Sequence, residues 1–244
     1  MDIDPNLGTP EIAAAPPAKR VAGRWPLVSG LVALALAFGL GALIVVRDKG
    51  LPLTVDVEWM RELIEHRAPI WKSLSLVMDS LGGGVVAVFI LPVGIAAALF
   101  LAKRPWAAGY YLVATVVAGG LVQVLKNLFG RARPENILSN LDFGSFPSGH
   151  VANAATMAVI MAILFPRLWV WIAGVAWVAV MMLSRTYLGA HWLSDTVGGL
   201  LLGIGVAIVV WAPLAAKLDG EHRLAPEHPF ATLRKRRRIS GKDD

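Results

Sequence analysis

No cysteine occurs among the 244 residues of this chain. Disulfides, thiolate nucleophiles and cysteine-ligated metals are therefore excluded. Charge is scarce too: Asp, Glu, Lys and Arg make up 16% of the chain against 56% hydrophobic residues, and the mean hydropathy is +0.62. A soluble domain of this length has no use for so much apolar residue, so the class is integral membrane protein. Acids are fewer than bases, 17 against 23, and no run of carboxylates stands ready to hold divalent ions. Glu135 and Asp142 share a loop but read as solvated loop residues. The basic excess lies largely in Arg234-Lys235-Arg236-Arg237-Arg238, with Lys19, Arg20 and Arg24 ahead of the first apolar run. Without interleaved aromatics, these read as anchors on an anionic leaflet rather than as a nucleic-acid surface.

Residues 1–24 read as a disordered cytoplasmic tail, residues 25–213 as the membrane domain, and residues 214–244 as a basic cytoplasmic tail. The fold expected is all-α, a bundle of six membrane spans. The first apolar run, Leu27 to Val46, is about as long as a bilayer core requires. A signal peptide is the competing reading, but Val46-Arg47-Asp48 offers no small-residue cleavage site. Five further spans are expected at about 85–102, 107–125, 151–165, 168–184 and 196–213, with Pro92 kinking the second. Between the first two spans, Trp59, Met60, Leu63 and Ile64 recur at helical spacing, with Asp56, Glu58, Arg61, Glu62 and Glu65 assigned to the other face. That amphipathic helix either lies on the membrane surface or packs over the span ends, and a second short helix is expected from Ile70 to Leu81.

The turns Lys103-Arg104-Pro105 and Pro166-Arg167 are basic and, with both termini, fall on one side, which the positive-inside rule assigns to the cytoplasm. Trp25, Trp106, Trp169, Trp171 and Trp211 sit near that face, as interfacial aromatics do. Three polar clusters then gather on the opposite, periplasmic or extracellular side. Ionisable groups at membrane depth are costly, and their presence points to function.

The first cluster holds Lys126 and Arg133-Pro134, with Arg131 between them either a third cation of the cluster or only a headgroup contact. Three cations on an outer face run against positive-inside bias and call for an anionic partner. The second is Pro147-Ser148-Gly149-His150, directly ahead of an apolar run. Backbone N–H groups and the dipole at a helix start favour an anion, Ser148 adds a donor, and Gly149 lets the backbone come close. Equally, Ser148 serves as a simple N-cap and His150 as an interfacial side chain. The third is Ser184-Arg185, then His191 and Asp195. Four residues apart, His191 and Asp195 share one face of a helix, so the carboxylate can orient the imidazole as nucleophile or base. The plainer reading is a structural pair with Arg185 reaching to headgroups. Together the clusters suit a multiply charged phosphoryl-transfer transition state.

With all three in register, the chain resembles the type 2 phosphatidic acid phosphatase superfamily of membrane lipid phosphatases. That family's pattern is Lys, six residues, Arg-Pro; then Pro-Ser-Gly-His; then Ser-Arg, five residues, His, three residues, Asp. Lys126 to Asp195 carry it without departure. The resemblance implies that Lys126, Arg133 and Arg185 hold the phosphate with Ser148 and Gly149. It implies His191 as the nucleophile forming a phosphohistidine, Asp195 as its orienting group, and His150 as the acid toward the leaving oxygen. No metal and no cofactor are expected. The partners expected are a lipid phosphate substrate and membrane lipids, with no nucleic acid. Undecaprenyl diphosphate, phosphatidylglycerol phosphate, phosphatidate and lipid A phosphates all fit, because the pocket reads the common group. The same pattern binds vanadate in haloperoxidases, which are soluble, and six spans argue against that chemistry. Phosphoryl transfer to an acceptor lipid, or an anion or lipid transporter, remain alternatives; transport predicts internal repeats, and none is convincing.

Overall fold

The computed structural model describes residues 18–135, 137, 138 and 143–224, with side chains only between residues 24 and 223. Asp142, residues 1–17 and residues 225–244, including the Arg234–Arg238 run, lie outside the described residues. Among the described residues every regular element is helical. α1 is Ala18–Asp48, α2 Thr54–Glu65, α3 Pro69–Gly82, α4 Leu91–Leu101, α5 Pro105–Phe129, α6 Gly149–Leu164, α7 Leu168–Tyr187 and α8 Leu193–Leu224, and a π-helical turn, Val86–Ile90, leads into α4.

Four helical segments, Arg24–Asp48, Pro105–Phe129, Leu168–Tyr187 and Leu193–Arg223, are long and apolar enough to cross a membrane. A fifth is reached if α3 and Val86–Leu101, bent by 43°, count as one span. α6 has 16 residues, about 24 Å of helix and short of a roughly 30 Å hydrocarbon core. It lies inside the bundle, with Val151, Ala152, Ala154, Ala155 and Ile160 buried. By contrast, Leu31, Leu36, Val116, Leu168, Ile172 and Val175 are exposed, an apolar exterior that suits lipid rather than water.

The helix boundaries follow local chemistry. Pro105 occupies the first turn of α5, where its missing N–H costs nothing. The same end is covered by Glu221 of α8, whose carboxylate accepts the N–H groups of Trp106 at 2.7 Å and Ala107 at 3.0 Å. At the other end Gly130 takes a left-handed φ of +53° and donates to the Lys126 carbonyl, the usual glycine stop. The break expected at Pro92 is absorbed by the π-helical turn, in which the Leu91 N–H bonds to the Val86 carbonyl five residues back.

α8 is the central column, packed on α1, α5 and α6. Its glycines make that packing possible within the chain. A Cβ at Gly199 would collide with the Ser148 carbonyl, and one at Gly203 with the Ala152 carbonyl. α2 lies over the ends of α7 and α8, so its apolar stripe covers the span ends. One assignment is reversed there: Asp56, placed on the polar face, is fully buried. Asp56 and Met60 are one turn apart on a common face, and Met60 is buried beside it.

Candidate active site

The three clusters converge because α5, α6, α7 and α8 each begin or end at the same level of the bundle. Lys126 lies in the last turn of α5, His150 in the first of α6, Arg185 in the last of α7 and Asp195 in the first of α8. Lys126, Arg133, Gly149, His150, Arg185 and His191 line one cavity of about 700 Å³. Its remaining walls run along α5 through Val122, Gly120, Gly119 and Val116, and along residues 82–88. The polar end is thus continuous with an apolar channel between helices. Ser148 and Asp195 are fully buried just behind the lining residues.

His191 sits in the turn between α7 and α8, not on the helix with Asp195 as the four-residue spacing suggested. Its Nδ1 is 2.7 Å from the Ser145 carbonyl and 3.6 Å from Asp195 Oδ2. A carbonyl only accepts, so Nδ1 carries the hydrogen and Nε2 keeps its lone pair. Nε2 faces the cavity, 3.5 Å from Arg133 Nη1. Burial pushes the His191 imidazole down from 6.5 to about 3, helped by the Arg133 and Arg185 cations and opposed by Asp195. The ring is neutral at physiological pH, the state a nitrogen nucleophile requires.

Asp195 orients the turn more than the ring. Its Oδ2 accepts the Trp192 N–H at 2.8 Å, half of a capping box at the start of α8. Its Oδ1 accepts Arg131 Nη1 at 2.5 Å. Arg131 is itself buried and reaches on to Asp56 Oδ2 at 2.7 Å. Asp56 in turn accepts the backbone N–H of Ser194 at 2.8 Å and its hydroxyl at 2.7 Å. Reading Arg131 as a headgroup contact is therefore overturned; the buried guanidinium ties α2 to the start of α8 through two carboxylates.

The loop ahead of α6 is held by the same elements. Ser145 N–H donates to the Arg131 carbonyl at 2.9 Å, and Ser148 N–H to the Asp195 carbonyl at 3.0 Å. Ser148 occupies the N-cap position of α6 but makes no side-chain cap bond. Its buried hydroxyl has no partner among the described residues. Arg133 donates to the Ala190 carbonyl at 2.5 Å and to Gly144 at 2.9 Å, which fixes its guanidinium beside His191.

Arg185 is fully buried, with Nε and Nη2 unpartnered among the described residues. Its Nη1 pairs with Asp79 Oδ1 of α3. The same oxygen is 3.0 Å from His150 Nε2, which also lies 3.2 Å from the Asp79 carbonyl. Sequence reasoning passed over Asp79 and the Ser145 carbonyl, and it named Arg131 and Asp56 without finding their buried pairing. Asp56 was discoverable: positions 56, 60, 63 and 64 fall on one helical face, so its carboxylate belongs with the apolar stripe. Among the described residues no three His, Asp or Glu side chains gather as metal ligands.

Residues 107–217 match a family model described as PAP2 superfamily. That stretch, just under half of the chain, is similar to the PAP2 superfamily. All three polar clusters fall within the PAP2 match, whereas Asp56 and Asp79 lie outside it. A lipid A 1-phosphatase from Rhizobium etli is 35% identical over 132 residues, covering 49% of this chain and 55% of that protein. An undecaprenyl-diphosphatase from Sulfolobus acidocaldarius is 32% identical over 124 residues, covering 47% and 59% respectively. The chain therefore spans somewhat over half the length of these curated PAP2 relatives. Among solved structures, the transmembrane PAP2-type phosphatidylglycerolphosphate phosphatase from Bacillus subtilis superimposes with a TM-score of 0.67 at 25% identity. The match covers 78% of this chain and 96% of that one.

Proposed function

We propose that this PAP2-like protein hydrolyses a phosphomonoester or diphosphate on a membrane lipid through a phosphohistidine at His191, without a metal ion. One observation carries the reading: His191 Nδ1 is held on the Ser145 carbonyl, which leaves Nε2 toward a cavity lined by Lys126, Arg133 and Arg185. Those cations supply the charge stabilisation that metal ions give in many phosphoryl-transfer enzymes. Arg185 Nε and Nη2 and the Ser148 hydroxyl, all without partners among the described residues, suit phosphoryl oxygens.

In the first step the His191 Nε2 lone pair forms a bond to phosphorus. The bond from phosphorus to the leaving oxygen breaks, and that oxygen takes a proton from His150. In the second step His150, now neutral, accepts a proton from water as the water oxygen bonds to phosphorus. The P–N bond breaks, orthophosphate leaves and His191 is restored. Asp195 and the Ser145 carbonyl hold the imidazole through both steps.

The channel along α5 and residues 82–88 is the path for the lipid chain. In the membrane we place six spans, with α6 as a short inner span and α3 and α4 at one crossing. Both termini face the cytoplasm and the site opens to the periplasmic or extracellular face of the inner membrane, in keeping with the basic turns at 103–105 and 166–167. Undecaprenyl diphosphate, phosphatidylglycerol phosphate, phosphatidate and lipid A phosphates are the substrate candidates, since the relatives are named for members of this set.

The test is phosphate release by the purified full chain in detergent with excess chelator, across these lipids, beside His191→Ala. Release in chelator that the variant abolishes, with an acid-labile phosphoenzyme trapped in wild type only, is the expected result. A requirement for added divalent metal, or unchanged turnover in His191→Ala, overturns the mechanism.

A further inference from the structure

Asp79 places a carboxylate oxygen at the one point shared by Arg185 and His150. On the proposed reading, Arg185 holds phosphoryl oxygens and His150 protonates the leaving oxygen, so a substrate oxygen must come to that same point. The carboxylate and the substrate cannot share it: two anions within about 3 Å repel strongly at the low dielectric of a buried site. Resting-state energetics explain why an acid is there. Arg185 is fully buried, and a buried cation without a counter-ion is costly. Asp79 neutralises it until a substrate arrives.

The surroundings allow the exchange. α3 itself is fixed: Tyr187 donates to the Ala68 carbonyl at 3.0 Å and accepts its N–H at 2.7 Å, and Ser184 donates to the Ser75 carbonyl at 3.0 Å. The Asp79 side chain, however, is 29% exposed, so rotation about its own bonds withdraws the carboxylate while the helix stays put. His150 is not released by that rotation, because its Nε2 keeps the Asp79 backbone carbonyl at 3.2 Å.

We infer that Asp79 is an affinity-setting residue, an internal anion that occupies part of the phosphate cradle and must be displaced by any phosphate group that binds. This rests on the proposed phosphatase reading of the cavity. Its value lies in what a membrane contains. Phosphodiester headgroups, each with one negative charge, vastly outnumber phosphomonoesters, which carry up to two near neutral pH. Displacing Asp79 costs every anion the same free energy, so all affinities fall by a common factor. The ratio between anions is unchanged, but weakly held singly charged diesters fall below appreciable occupancy while multiply charged groups, held by three cations, stay bound. The returning carboxylate also competes with product orthophosphate and speeds its release.

The experiment is calorimetric binding of orthophosphate and of dimethyl phosphate to the full-length protein in detergent, in wild type, Asp79→Asn and Asp79→Ser. Expected is tighter binding of both anions in the variants, by a similar factor of at least about five. Unchanged or weaker binding overturns the inference and makes Asp79 a residue that merely positions His150. A gain for orthophosphate alone also overturns it, since a fixed charge that repels without leaving penalises the dianion more. These readouts need no turnover: absence of lipid phosphate hydrolysis would sink the proposed function, while the binding comparison would still decide the role of Asp79.

Discussion

Arg131 Nη1 lies 2.5 Å from Asp195 Oδ1, with both side chains fully buried. Through its other terminal nitrogen the same guanidinium reaches Asp56, so the residue behind the His191 turn is anchored to a helix far away in sequence. This makes α2 part of the support of the site. Asp56→Asn should lower kcat by about 10- to 100-fold with little change in KM, because a small misplacement of the nucleophile is enough for such a loss. Breaking a buried pair from one side costs about 3–5 kcal/mol, so a lower melting temperature in detergent is expected alongside. Wild-type kinetics in this variant would show that the Asp56–Arg131 link does not position the turn.

Ser148 separates a capping role from a ligand-binding one. Its hydroxyl is buried, makes no cap bond and has no partner among the described residues. Ser148→Ala should therefore leave the unfolding free energy within about 0.5 kcal/mol of wild type, while KM for the lipid phosphate rises several-fold. A true cap would instead lose about 1 kcal/mol of stability on the same change. Thermal unfolding and initial rates on one preparation distinguish the two.

His191 makes stability depend on pH in a defined direction. Its folded value of about 3 lies below the ordinary 6.5, so the unfolded chain binds the proton more readily. The contribution is fully present above pH 6.5 and is lost as pH falls from there toward 3. His191→Gln, which removes the titrating group, should flatten that part of the acid loss of stability. An identical pH profile of unfolding in wild type and variant would contradict the buried neutral imidazole.

Gly120 lines the channel, and a Cβ built there meets nothing within 4 Å. Gly120→Trp should fold normally, because helix propensity favours almost any residue over glycine. It should also obstruct the lipid path. The expected signature is a rise in KM of about tenfold or more for a long-chain lipid phosphate, with a short water-soluble phosphate ester little affected. Equal effects on both would place the lipid elsewhere.

Much of this was legible before any coordinate. The start of α6 after Ser148 and the short α3 follow from glycine, proline and apolar spacing, whereas α5 runs past the expected 125 to a stop at Gly130. The polar clusters stood out because charge is rare in the chain, and the register of Lys126, His150, Arg185 and His191 at successive helix ends brings them to one level. The polar assignment of Asp56 failed where charge was allowed to overrule position on the helix. Pro92 likewise marked a break without revealing that a π-helical turn would absorb it.

By itself, then, the sequence determined the all-helical membrane class, the approximate helix positions and the identity of the motif residues, because hydrophobic run length and rare charges are local properties. Only the tertiary structure decided the partners: Arg131 with Asp195 across 64 residues, Arg131 with Asp56 across 75, and Arg185 with Asp79 across 106. It also decided that the Ser145 carbonyl, a group every residue possesses, sets the His191 tautomer. A buried charge must be neutralised by whatever opposite charge the packing of helices brings within reach, and no pattern along the chain encodes which one that is.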